Sequence, residues 1–288
     1  MILYDQRRLR RKLLYFSIVL RESKEGKCEF FDTLKYDQLF HIGFSAAYTG
    51  AEEKEGRTMT NIQLQPFTAE REWTMEGIPV LTASVSVPEP VPAADNISRR
   101  IRRYYQLQCR SFLRYCEKWL FPLAEAEYRA ALAVSAPLPC FHAALEYRVT
   151  WQDQGLLSLY TQSREVTLPG QTLLTRRGDT WDLAVGYPIP LSDFFPARSS
   201  WKRQLMALTA EDIQRQERAG VAQYHLRRPQ DLRRRFNAQN YYLTREGLTV
   251  FFPMYAIAPA AEGIPAFTIP YTQLGEGAFA RLRPPAEP

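Results

Sequence analysis

The sequence predicts an α+β fold: an antiparallel sheet, one long helix packed on it, and a C-terminal helical insertion. Three observations carry that reading. Residues 94–121 repeat apolar side chains at helical spacing, whereas several other runs alternate apolar and polar residues as strands do. The elements follow in the order strand, long helix, strands, helices, strands. That order lacks the repeated strand–helix–strand alternation of a parallel α/β sheet.

Each element has its local reason. Residues 77–92, GIPVLTASVSVPEPVP, alternate around Val80, Thr82, Ser84 and Ser86 and then run into three prolines, a strand feeding a stiff loop. In the helical stretch, Ile97, Ile101, Tyr105, Phe112 and Trp119 share one face with Cys109 and Cys116, and Asp95 or Asn96 is the cap. Pro122 should bend or end that helix, with 123–133 resuming it. Residues 140–152, 156–168 and 171–185 read as an antiparallel meander. Asp153-Gln154-Gly155 is its first turn, and Arg177-Gly178-Asp179 breaks its last strand. An amphipathic helix follows from Trp201 to Gly220, then a basic one over 228–237. Two short strands in 240–252 and one in 266–274 close the fold, and the tail RLRPPAEP is expected to fray.

Composition narrows the class. With 288 residues, 45% hydrophobic and 24% charged, the chain has material for a sizeable core. The formal charge of +6 is a modest excess and by itself points to no polyanionic partner. No stretch is long enough to span a membrane, and LLYFSIVL is interrupted by Arg21 without a cleavage site. The absence of an export signal predicts a cytoplasmic location.

Residues 1–58 hold most of the lysines and no tryptophan; beyond Met59 only Lys118 and Lys202 remain. Lys54-Glu55-Gly56 is encodable as a ribosome-binding sequence just ahead of Met59. Either the natural start is Met59 and 1–58 is upstream sequence read in frame, or 1–58 is a genuine extension. The remaining expected divisions are 59–135, a strand and long helix; 136–276, a C-terminal domain; and 277–288, a tail.

No catalytic constellation emerges. His41, His142 and His225 are scattered, and a zinc site needs about four converging ligands. Cys28, Cys109, Cys116 and Cys140 form no CxxC pair and read as reduced thiols. Cys109 and Cys116 lie about 10 Å apart along a helix axis, too far for a disulfide. Asp179 and Asp182 flank Trp181 as a glycosidase pair would, but Asp179 reads as a turn residue and Asp193 as a cap. Asp153 and Glu165 are further carboxylates without a motif. The basic clusters RRIRRYY (99–105) and RRPQDLRRR (227–235) read as solvated helix faces.

The stretch FFPMYAIAPAAEG (251–263) reads as a buried strand end, a proline-set corner and a glycine exit. In that reading Tyr255, Pro259, Gly263, Pro270 and Tyr271 are structural. Tyr255 is then a core aromatic, and Gly263 takes a positive φ. The same residues carry a resemblance. Residues 241–274 resemble the closing motif of a bacterial domain of unknown function, found at the C-terminus of RsiV-type anti-sigma factors and in PdaC-type peptidoglycan deacetylases. Tyr255, Pro259, Gly263, Pro270, Tyr271 and Leu274 match its pattern, and 189–195 resembles an earlier segment of it. The resemblance spans roughly 78–274. Where relatives carry Gly-Gly-Ala-His, this chain has Leu168-Pro169-Gly170-Gln171, so the lysozyme binding of the RsiV branch does not carry over. Relatives are often extracytoplasmic. The resemblance implies a non-enzymatic binding or sensor module without cofactor or metal, whose partner is a protein ligand or cell-wall component. The alternatives are a glycan-acting enzyme of the cell wall, or its accessory domain, and an arginine-mediated nucleic-acid binder.

Overall fold

The computed structural model describes residues 62–226 and 229–280. The expectations for 1–58, Cys28, His41, Arg227, Arg228 and the 281–288 tail lie outside those residues.

Strand β1 (Leu64–Met75) turns into β2 (Ile78–Pro90), with Met75 opposite Ile78. A two-residue hairpin turn of the primed type needs positive φ at both centres, and Glu76 and Gly77 supply 53° and 81°. β1 was not foreseen. Its inward positions include Arg71, whose guanidinium sits over the Trp73 ring and pairs with Glu117, so no clean apolar alternation marks the strand.

Helix α1 (Asn96–Tyr115) is capped by Asp95, whose carboxylate accepts from the Ile97 and Ser98 amides. It runs without interruption through a π-helical turn (Cys116–Leu120) into α2 (Phe121–Ala133). Pro122 was expected to bend or end the helix. The wide turn before it, in which the Phe121 amide reaches Cys116 O, lets the chain pass the proline instead. The same turn shifts the helix phase. Ile101, Tyr105, Cys109, Phe112 and Cys116 are buried as predicted, but Leu120, Ala124 and Tyr128 continue the stripe and Trp119 is 52% exposed.

Strands β3 (Phe141–Asp153), β4 (Leu156–Leu168) and β5 (Gln171–Asp182) form the meander, and β6 (Tyr187–Pro188) adds an edge. The sheet order is β1-β2-β3-β4-β5-β6. One pair departs from the antiparallel reading: β2 and β3 run parallel, Leu81 beside Phe141 and Val85 beside Leu145. The α1–α2 stretch is the crossover that a parallel pair requires. The segments before and after residue 136 thus share one sheet. β5 is also unbroken at Arg177-Gly178-Asp179.

After a 3₁₀ turn (Leu191–Phe194) come α3 (Trp201–Arg218) and α4 (Pro229–Arg235). Strands β7 (Tyr241–Leu243), β8 (Gly247–Phe251) and β9 (Ala266–Pro270) build a second, three-stranded sheet.

The protein therefore has two cores. One lies between α1–α2 and the first face of the large sheet, with Leu81, Val85, Tyr105, Phe112, Leu159 and Trp181 at its centre. The other gathers β7–β9, α3 and the 3₁₀ turn around Leu205, Leu243, Val250, Phe252 and Phe267. The small sheet covers the second face of the large one at β4 and β5. There the Ser158 hydroxyl bonds Thr180 Oγ1 and accepts from the Leu243 amide, both buried. Gly178 makes the approach possible: a Cβ placed on it would lie 1.9 Å from the Tyr241 carbonyl oxygen. No rotamer avoids a backbone atom, so the sheets would have to separate. Gly178→Ala should cost roughly 1–3 kcal/mol or more, measured by urea unfolding. A variant as stable as the parent would refute this account of the junction.

Candidate functional site

The described carboxylates divide into two groups. Those facing the helix are buried and partnered. Asp179, only 5% exposed, accepts from the hydroxyls of Tyr104 at 2.9 Å and Tyr105 at 3.3 Å, with the Arg177 guanidinium at 3.4 Å. The Trp181 indole donates to the Tyr105 oxygen at 2.9 Å. Glu165 accepts from the Tyr115 hydroxyl at 2.9 Å, and Glu89 from Arg102. Asp179 is thus a strand residue that anchors the helix, and the expectation of a Gly-Asp turn is corrected. Asp182, three positions along the strand, points to the opposite face and accepts from the Ala184 amide. The two do not form a carboxylate pair. Asp153 accepts from the Gln154 amide within its turn. Asp193 lies inside its 3₁₀ turn, where its side chain accepts from Ser192, rather than capping it.

The helix arginines are not merely a solvated face. Arg100 donates to the Val185 carbonyl at 2.9 Å and stacks 3.9 Å above the Tyr187 ring, and Arg102 binds Glu89. Cys109 and Cys116 are buried free thiols, and burial pushes the Cys116 thiol up to about 12. Cys140 is a half-buried free thiol. Among the described residues, no group of three or more His, Cys, Asp or Glu is placed to hold a metal ion. No helix among them is long and apolar enough to cross a membrane.

The second face of the large sheet is where side chains meet solvent on rigid strands. The small sheet leaves β1, β2 and the first part of β3 uncovered there, and the second core reaches β3 only near its end, at Trp151. Residues paired across strands share a face, so the registers define rows. Glu72 opposes Thr82, Thr82 lies beside His142, and His142 opposes Val166. In the next row Glu70, Ser84, Ala144 and Arg164 succeed one another. These residues line an open groove of about 540 Å³. On its floor Thr82 Oγ1 and His142 Nδ1 are 2.8 Å apart. Its lip is acidic on β1 and basic on β4. Of these residues the sequence reading singled out only Thr82 and Ser84, as strand positions, and His142, as an isolated histidine.

The corner 251–263 packs at the far side of β5. Met254 is buried, and its Sδ lies 3.3 Å from the Leu174 amide. Gly263 has φ 63°, the positive value expected of it. Tyr255 corrects the expectation of a core aromatic: it is 43% exposed and itself has φ 66°. A tyrosine in that conformation carries strain. Pro259 caps the 3₁₀ turn Ala260–Glu262. Pro270 ends β9 and caps the next turn, in which the Tyr271 hydroxyl donates to the Thr244 carbonyl at 2.8 Å.

Residues 192–272 match the model of a family described as a protein of unknown function (DUF3298), a span that includes most of the segment on which the sequence resemblance rests. Among solved structures, a DUF3298 family member from Bacteroides fragilis aligns with a TM-score of 0.53 and 15% identity, over 75% of this chain and 94% of that one. A DUF3298 family protein from Pseudomonas aeruginosa PAO1 aligns with a TM-score of 0.48 and 16% identity, over 77% and 98% of the two chains. The first likeness supports the fold. No curated protein matches the chain.

Two expected outcomes follow from this geometry. Gly263→Val should cost about 1–3 kcal/mol through backbone strain, whereas Tyr255→Ala should cost less than the roughly 3–5 kcal/mol of a core aromatic. Thermal melts of the two variants check the order, and a larger loss for Tyr255→Ala would reverse it. The second outcome concerns Glu165, whose carboxyl burial holds above the ordinary range while the Tyr115 hydrogen bond opposes the shift. The folded state then keeps a proton that the unfolded state releases near about pH 4.3. The contribution of Glu165 to stability is therefore fully present below that pH and is lost as pH rises through the folded value. Glu165→Gln does not ionise, so urea unfolding should show the variant gaining on wild type at pH 7 relative to pH 4. An equal difference at both would refute it.

Proposed function

We propose that the chain is a non-enzymatic binding or sensor module, as the RsiV/PdaC-associated resemblance implies, and that the uncovered part of the large sheet is its ligand surface. The observation that carries this is the groove across β1–β4. It presents hydroxyl, imidazole, carboxylate and guanidinium groups from strands whose backbones are fixed by their ladders. Its volume falls within the range of ligand sites. The buried carboxylates support the same reading, because Asp179, Glu165 and Glu89 are committed to holding α1 on the sheet.

The glycan-acting alternative has one observation in its favour, the Thr82–His142 contact, which pairs a hydroxyl with a base. The row order weakens it. Thr82 stands between Glu72 and His142, so the carboxylate is on the wrong side of the hydroxyl to orient the imidazole.

Ser84 is exposed in mid-groove, and a tryptophan there fills the groove without entering the core. On an array of cell-wall glycans and peptides, Ser84→Trp should lose at least tenfold in binding to whatever wild type retains. Undiminished binding would remove the groove from consideration. Turnover of an array component that disappears in His142→Ala would establish the enzyme instead.

A further inference from the structure

The two lips of the groove carry opposite charge. Glu70 and Glu72 stand on β1 and Arg164 on β4, all exposed, and no ion pair among the described residues engages any of them. Three strand steps separate β1 from β4, which at about 4.8 Å each sets the lips about 14 Å apart. At that separation the two lips neutralise each other little across water. Between them lie Thr82, Ser84 and His142, which both donate and accept hydrogen bonds.

Resting on the reading of this groove as the binding surface, we propose that it takes an amphoteric peptide, with an ammonium group at Glu70 and Glu72 and a carboxylate at Arg164. Charge complementarity selects the two ends. The acidic lip repels a continuous polyanion, which counts against nucleic acid as the occupant. The groove lining offers no phenyl, phenol or indole face on which a sugar ring would stack. The small side chain of Ala144, beside Ser84 and Arg164, leaves room for a backbone to lie against the floor.

The probe is tetraalanine with free termini, whose extended chain sets its charges about 14 Å apart. Its N-acetylated, C-amidated and doubly blocked forms are titrated alongside it, followed by amide chemical shifts of the full chain. An oligothymidylate and a neutral oligosaccharide serve as the other chemical classes. Blocking either terminus should weaken wild-type binding by roughly two- to fivefold, the size of an exposed charge pair. Acetylation should have no effect on the Glu70→Gln/Glu72→Gln double variant, and amidation none on Arg164→Gln. Both sensitivities should fade in about 1 M salt, where screening reaches about 3 Å. The blocked peptides binding as tightly as the free one would overturn the proposal. So would oligothymidylate or the oligosaccharide binding more tightly, with Ser84→Trp abolishing it; in that case the groove stands as a binding surface and only its ligand class is wrong. Binding of every probe unaffected by Ser84→Trp would remove the surface itself.

Discussion

Two adjacent residues of β5 hold the three layers together, and they face opposite ways. Gly178 turns its missing side chain to the small sheet, whose Tyr241 carbonyl occupies the space a Cβ would need. Asp179 turns its carboxylate to the helix, where Tyr104 and Tyr105 donate to it and Trp181 completes the chain of bonds. A buried carboxylate is costly unless its hydrogen bonds are made. Helix α1 can therefore settle in the one position that brings both tyrosine hydroxyls onto Asp179. The ring contacts agree, with Tyr104 and Tyr105 both edge-on to Trp181. Helix position and sheet packing are thus determined at one point in the chain, one by supplying a charge and the other by removing a methyl group.

That point was invisible in the sequence for a physical reason. Arg177-Gly178-Asp179 has the composition of a turn, and locally nothing contradicts it. The competing demands come from Tyr241 and Tyr105, each more than sixty positions away. Local pattern succeeded where one element answers to one face. The α1 stripe was legible because Ile101, Tyr105, Cys109 and Phe112 all meet the same sheet. It failed at Trp119, where the π turn shifted the phase. β1 escaped because Arg71 occupies an inward position by stacking on Trp73 and pairing with Glu117, a solution only the folded state reveals. Tyr255 looked like core because its neighbours are apolar; Met254 and Ile257 take the buried places instead.

The groove was half legible. The sequence alternation of β2 ran through Val80, Thr82, Ser84 and Ser86; the structure keeps Thr82, Ser84 and Ser86 on the more open face, with Leu81, Ala83, Val85 and Val87 buried between them, but buries Val80. What the alternation cannot reveal is which side chains join them. Glu70, Glu72, His142 and Arg164 come from three other strands, brought alongside by two hairpin-type registers and one parallel pairing. A parallel pair is set by the long helical crossover, so the helix on one face determines which residues become neighbours on the other.

This coupling gives the uncovered face its character. The small sheet covers β4, β5 and only the end of β3, and the chain places few apolar residues on the second face of β1, β2 and the start of β3, so the surface there is polar. The strands beneath it are held from behind by the helix core and from the side by the β5 junction. The backbone under its polar groups is thus already ordered, and the exposed side chains of Glu70, Glu72 and Arg164 keep rotamer freedom there. The same rigidity fixes the backbone spacing beneath the charged residues of the proposed binding surface. A sheet cannot move the backbone of Arg164 closer to that of Glu70 without breaking the ladders between them, so strand separation sets the distance about which the two exposed side chains can adjust their charges.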